Sequence, residues 1–174
     1  MKALIVIDIL NDFCVEDGAL YSEYHRKPVD FIIKTIQRFK EEKALIVTAE
    51  DWHEVDDEEF KIFPPHCIEN THGAELIPEM KEVLKNYELH RTVKKRRFDL
   101  FFNTHLEEIL TENEVDEAYV CGIVTNICVL FTVEELKCRD IETFVFGEGV
   151  NGYDQEAHRF ALKQMKEVLG AKII

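Results

Sequence analysis

No stretch of this 174-residue chain approaches the ~20 consecutive apolar residues that a membrane-spanning helix needs. The opening "MKALIVIDIL" has one lysine and a short apolar run broken by Asp8, with no small-residue cleavage site, so no signal peptide is expected. Basic residues are in the minority. Lys and Arg number 21 against 35 Asp and Glu, and the formal net charge is −14. Phosphate backbones repel such a surface, which argues against a nucleic-acid partner. The one basic run, "KKRR" from Lys94 to Arg97, reads as a solvated surface feature. The five cysteines (Cys14, Cys67, Cys121, Cys128, Cys138) are odd in number, irregularly spaced and free of any CxxC pair. That does not suggest a disulfide framework and points to free thiols in a reducing, cytoplasmic setting. A GxGxxG is also missing, so a dinucleotide site has no fingerprint. There is no internal repeat, low-complexity segment or linker.

What is present suits one soluble domain over residues 1–174, with 46% hydrophobic and 32% charged residues. Strands and helices alternate. "ALIVI" (3–7) and "ALIVTA" (44–49) are apolar throughout, as buried parallel strands are. "ELHRTV" (88–93) is a more polar strand suited to an edge; "AYVCG" (118–122) and "ETFVFG" (142–147) are further strands, and "AKII" adds a short last one. Val29, Ile32, Ile33, Ile36 and Phe39 recur at helical spacing after Pro28. Helices are also expected over 78–86, from Thr104 with Glu107 at capping-box spacing, over 125–136, and in a last segment closed by Gly170. The alternation predicts an α/β three-layer sandwich: a mainly parallel, Rossmann-like sheet of five or six strands with helices on both faces. The long irregular stretch from Asp51 to Gly73 is of a length that usually serves function.

Such sheets place their sites at the carboxyl ends of strands. There stand Asp8, then Asp51 and His53, then Lys94 and Lys95, then the segment from Gly122 to Cys128. Asp8 interrupts an apolar strand, and a buried carboxylate without a partner costs roughly 3–5 kcal/mol. Cys128 falls in the first turns of a helix, where backbone N–H groups favour a thiolate and can form an oxyanion hole. On position alone a buried structural cysteine is the better reading. A thiol nucleophile needs a proton acceptor, which Asp8 can be, and a positive charge, which Lys95 can be. Asp51 and His53, two apart on extended chain, share a face and with His66 form a set suited to Zn²⁺, Fe²⁺ or Mn²⁺. Asp56, Asp57 and Glu59 are further possible oxygen ligands, though their acidic run also reads as a solvated loop. Cys67 is a possible soft ligand or a buried thiol. Phe13, Trp52 and Phe63 suit either the walls of a pocket for a flat small molecule or the core.

Taken together, the chain resembles the isochorismatase-like cysteine hydrolases, and within them the nicotinamidase/pyrazinamidase branch. The segments that carry the resemblance are "ALIVIDILNDFC", "DWH" followed by "FPPHCIENTHGAEL", "KRRFDLFFNTHLEEIL" and "CGIVTNICV". It implies a catalytic acid/base at Asp8, a catalytic lysine at Lys95, a nucleophile at Cys128, and metal ligands at Asp51, His53 and His66. It further implies a non-proline cis peptide at Ile123–Val124, an oxyanion hole from the Val124 and Cys128 amides, a pocket lined by Phe13, Phe63 and Ile123, and a homodimer or tetramer. The chain departs from the pattern in four places. Leu10 replaces a glutamine beside Asp8, Glu59 replaces a histidine ligand of some nicotinamidases, Asp99 and Leu100 replace small residues, and His72 replaces a proline. The expected activity is hydrolysis of nicotinamide to nicotinate and ammonia through a Cys thioester, in NAD salvage. The alternatives are another small amide or carbamoyl substrate, an isochorismate-type vinyl ether, for which no Cys nucleophile is needed, and a non-catalytic member that binds a metabolite.

Overall fold

The computed structural model describes residues 1–174. Six strands, β1 (Lys2–Ile7), β2 (Leu45–Asp51), β3 (His90–Lys95), β4 (Glu117–Ile123), β5 (Glu142–Asn151) and β6 (Lys172–Ile173), form one sheet. Their order is β3-β2-β1-β4-β5-β6, and every neighbouring pair is parallel. The helices are α1 (Asn11–Cys14), α2 (Glu23–Arg26), α3 (Val29–Glu41), α4 (Pro78–Leu84), α5 (Leu106–Glu112), α6 (Leu130–Cys138) and α7 (Gln155–Glu167).

Alternation along β1 builds the layers. Ala3, Ile5 and Ile7 face one core, shared with Leu106 of α5, Val133 of α6 and Met165 of α7. Leu4 and Val6 face the other, shared with Ile32 and Ile36 of α3 and Met80 of α4. With both faces covered, the central strand has no polar side, which is why it reads as an unbroken apolar run. α3 buries Val29, Ile32, Ile36 and Phe39 along one stripe. α7 starts on Asp154, whose side chain accepts hydrogen bonds from the Glu156 and Ala157 amides. It is followed by Gly170 at φ +71°.

The chain runs outward from β1 through β2 to β3, then returns to the other side of β1 for β4. This reversal leaves a crevice beyond the carboxyl ends of β1 and β4. Gly122 permits the close approach there: its φ is +124°, and a Cβ at this position would collide with the backbone of Ile7.

Three local features differ from the sequence pattern. β3 begins and ends two residues later than expected, which sets Lys95 opposite Asp51 on the last rung. The capping box at α5 forms only in half: Thr104 Oγ1 accepts from the Leu106 amide at 3.2 Å, while Glu107 pairs with Arg139 at 3.3 Å. The segment after β4 is not α-helical from its start. Thr125–Val129 is a wider π-helical turn, and α6 follows it. Such turns often occur at functional positions. α1 and α2 were not expected, since four residues are too few to display a helical period.

Candidate active site

Asp8 follows β1 directly. Its backbone is left-handed (φ +55°) and its side chain is almost wholly buried. Few residues other than glycine adopt this conformation, and aspartate is among those that tolerate it. The turn aims the carboxylate across the sheet edge. Oδ1 accepts from the Asp51 amide at 3.2 Å, and Oδ2 lies 2.9 Å from Lys95 Nζ. Lys95 is fully buried, forms a second ion pair with Asp51 Oδ1, and donates to Cys128 Sγ at 3.4 Å. The three residues expected to do chemistry therefore meet at one ammonium group.

Two acids around one cation titrate differently. Burial pushes Asp8 up to about 7, nearby Asp51 adds to the rise, and Lys95 offsets it only in part. For Asp51, burial is outweighed by Lys95 and His53, so its carboxyl is held down at about 2. Lys95 stays charged: burial opposes the charge, but Asp51 and Asp8 outweigh it. The Cys128 side chain corrects an expectation. Its place near a helix start suggested a lowered thiol, but burial raises it well above the usual range despite Lys95. The resting group is a thiol beside a carboxylate poised to take its proton.

Asp51 also joins this trio to a second cluster. Its Oδ2 lies 3.8 Å from both His53 Nε2 and His66 Nε2. Donor atoms of Asp51, His53 and His66 all lie within 4.8 Å of one another, and all three residues are buried. Glu59 Oε1 faces the same point, 4.0 Å from His53 Nε2 and 3.8 Å from His66 Nε2. His66 Nδ1 is held at 2.7 Å by the Pro64 carbonyl, which fixes Nδ1–H and leaves the Nε2 lone pair pointing inward. His53 Nδ1 stands 3.2 Å from Asp57 Oδ2, and its Nε2 has no hydrogen-bond partner. Two buried imidazoles, one of them with its Nε2 unpartnered, and the carboxylates of Asp51 and Glu59 fit a divalent cation.

Residues near these acids are sorted by strand alternation. Trp52, read as either pocket wall or core, points to the opposite face from Asp51 and His53, packs against the α3-side core and lies under Lys94 Nζ, 3.2 Å from the ring centre. Of the basic run read as solvated, Lys95 is buried, and Arg97 holds Asp57 at 3.0 Å. Asp57 therefore belongs behind His53, not to a solvated loop. Cys67 is buried with its thiol pushed up by burial, and the metal-type cluster does not include it.

A cavity of about 340 Å³ opens beside both clusters, with Cys128, Asp51, Glu59 and His66 in its wall. Phe13, Phe63, Val124 and Phe98 also line it. Phe13 lies 5.5 Å from the His66 ring and Phe63 lies 6.3 Å from it. Ile123, expected in this wall, is instead sealed in the core on the α3 side, and Val124 and Ile127 face the cavity. The Ile123–Val124 peptide is cis. Leu10 is also core and bridges to Leu76, so it does not reach the cavity. Leu100 is buried and Asp99 caps its own turn, accepting from the Phe101 and Phe102 amides at 2.6 and 3.2 Å. His72 is exposed. Ala19, Leu20, Tyr21, Ser22, His25 and Tyr153 complete the wall. No periodicity or motif in "LYSEYH" announces them.

Comparison with known proteins follows the same lines. The isochorismatase domain model matches residues 2–174. The nicotinamidase/pyrazinamidase PncA of Bacillus subtilis superposes with a TM-score of 0.93 at 35% identity, covering 99% of this chain and 98% of that one. The pyrazinamidase of Pyrococcus horikoshii, solved in complex with zinc, superposes with a TM-score of 0.89 at 32% identity over 99% and 98% of the two chains. The N-carbamoylsarcosine amidase of Thermoplasma acidophilum does so with a TM-score of 0.87 at 26% identity over 99% and 94%.

Proposed function

Since the chain belongs to the isochorismatase family, we propose that it is a metal-dependent cysteine amidohydrolase of nicotinamidase type, converting nicotinamide and water to nicotinate and ammonia. The observation that carries this reading is the meeting of Asp8, Cys128 and Asp51 around the Lys95 ammonium, with Asp51 also facing two imidazoles. The likeness to amide-cleaving relatives supports the same chemistry.

Asp8 takes the Cys128 proton, and the resulting thiolate, paired with the Lys95 charge, adds to the carboxamide carbon. The Val124 and Cys128 amides hold the developing oxyanion. Asp8 returns its proton to the departing nitrogen and ammonia leaves a thioester. Asp8 then removes a proton from the water that attacks the thioester and returns it to the departing Cys128 sulfur, which frees the acid and restores the thiol and the carboxylate. Phe13 and Phe63 flank the ring. A divalent cation held by Asp51, His53 and His66, with Glu59 as a further ligand, would anchor a ring nitrogen or a water as a Lewis acid. Zinc fits the mixed nitrogen and oxygen donors, as iron and manganese do.

In this reading the protein is one isochorismatase-like domain over residues 1–174 that acts in NAD salvage in the cytoplasm as a homo-oligomer. Ammonia release from nicotinamide by reduced protein, with and without added Zn²⁺, Fe²⁺ or Mn²⁺, tests the reading. No turnover under any of these conditions would remove the nicotinamidase assignment. Release from a carbamoyl amide alone would shift it to that substrate class.

A further inference from the structure

The turn that carries the oxyanion donors is supported from behind. Val124, Ile127 and Cys128 line the cavity, whereas Thr125 is fully buried and does not. The Thr125 hydroxyl instead meets Nδ1 of His158, on α7, at 2.8 Å. Two side-chain hydrogen bonds tie the Thr125–Val129 turn to other elements: this one, and the Lys95 contact to Cys128. Asn126 adds none, and its buried Oδ1 has no partner.

α7 gives this tether a fixed base. Ala161 and Met165 seat the helix in the core. Gln155 and His158, three apart, share one face of it. Gln155 Nε2 donates to Asn151 Oδ1 at 2.9 Å and to the Gly152 carbonyl at 2.7 Å. Asn151 ends β5 opposite Ile123, the last residue of β4. Gly152 then lies flush on the turn: a Cβ there would stand 2.8 Å from Val124 Cγ1, well inside carbon–carbon contact distance. Burial lowers the basicity of His158, and Arg159 beside it adds to this, so the ring is uncharged at neutral pH. Either tautomer bonds a hydroxyl, which both donates and accepts. The Val124 carbonyl accepts from the Ile127 and Val129 amides at 3.0 and 3.2 Å, so the turn is closed on itself. What an outside tether adds is its orientation to the cavity. Oxyanion donors act by being aimed before the charge develops, and a misplacement of about 1 Å can cost about 10²-fold in rate.

We propose that His158 is a positioning residue: through the Thr125 hydroxyl it orients the turn that aims the Val124 and Cys128 amides at the oxyanion. This rests on the amide-hydrolase reading of the site and adds to it a residue that lies outside the cavity.

The test compares zinc-loaded wild type with His158→Phe, His158→Asn, Thr125→Val and the His158→Phe/Thr125→Val double variant. It measures ammonia release from nicotinamide and the binding of two probes. Pyridine-3-carboxylate fills the cavity without forming an oxyanion. Pyridine-3-carbaldehyde adds the Cys128 sulfur at its carbonyl carbon: the S–C bond forms, the C=O π pair moves to oxygen, and Asp8 takes the thiol proton. Its oxygen therefore occupies the oxyanion position. His158→Phe and Thr125→Val are each expected to lower kcat and aldehyde affinity about tenfold, with KM and carboxylate affinity within about twofold of wild type. The double variant is expected to lose no more than either single one, because both remove the same hydrogen bond. His158→Asn, which puts a polar atom where Nδ1 stands, restores most of the loss. Should His158→Phe fail to fold, Thr125→Val carries the comparison. Unchanged kcat and aldehyde affinity, losses shared equally with the carboxylate, additive losses in the double variant, no recovery in His158→Asn, or no aldehyde binding by wild type each overturns the inference. Aldehyde affinity that falls in the variants, with no ammonia released from any amide, would overturn the hydrolase reading and leave the role of His158 standing.

Discussion

Asp51 and Lys95 occupy partnered positions on the last rung of β2 and β3, and their buried side chains form an ion pair. The other Asp51 oxygen faces His53 and His66. One carboxylate thus links the proton-transfer trio to the cation-type cluster, and a change at either site is felt at the other.

Removing the Lys95 charge leaves Asp8 and Asp51 buried with no counter-ion. Lys95→Met is expected to destabilise the fold by about 3–5 kcal/mol, because an uncompensated buried charge costs that much. Urea unfolding at neutral pH reads this directly. A loss below about 1 kcal/mol would mean the pair is already relieved by water.

Cys128→Ala and Asp8→Asn separate the nucleophile from the acid/base. The first is expected to lower kcat by about 10³-fold or more and to abolish any acyl-enzyme mass. The second is expected to lower kcat by about 10²–10⁴-fold, the range for general acid–base catalysis. Intact mass spectrometry after quenching with acid checks both. A trapped thioester in the Cys128→Ala protein would refute the assignment.

His66→Ala removes one of two imidazole lone pairs. Wild type is expected to take up one zinc per chain and to gain thermal stability with added zinc, as any ligand of the native state confers. The variant is expected to lose both. Elemental analysis and thermal unfolding measure the outcome, and equal zinc content in the two proteins would exclude His66 as a ligand.

Asp57 lies behind His53 at 3.2 Å and is itself held by Arg97. Outer partners of metal-binding histidines typically change affinity 10–100-fold. Asp57→Ala is expected to weaken zinc binding by about that factor, read by competition with a chelator dye. An unchanged affinity would return Asp57 to a merely structural role.

His25 gives a pH signature of its own. Burial sets its folded pKa below the unfolded value of 6.5, so the unfolded chain binds the proton more readily. Stability from this group is full above the unfolded pKa and falls as pH drops below it, by up to about 1.4 kcal/mol per pH unit. Urea unfolding at pH 7.5 and pH 5.5 is expected to show a smaller acid loss in His25→Gln than in wild type. Equal losses would place the ring in solvent.

Some of this molecule is written in local pattern. The apolar run before Asp8, the stripe of Val29, Ile32, Ile36 and Phe39, and the strand–helix alternation determine a layered α/β fold, because burial on two faces or one stripe dictates residue period. The acid at the end of β1, the "DWH" pair and Cys128 after β4 are legible for the same reason, since parallel sheets gather their carboxyl ends. Other features were settled only in three dimensions. A two-residue shift in β3 put Lys95 opposite Asp51, Trp52 turned away while its neighbours turned in, and Asp57 and Arg97 of two apparently solvated runs closed behind His53. Ile123 went to the core and Val124 to the cavity. His25 came to the cavity wall from a segment with no motif at all. Which side chain is buried, and against what, depends on contacts between residues far apart in the chain, and no local period encodes them.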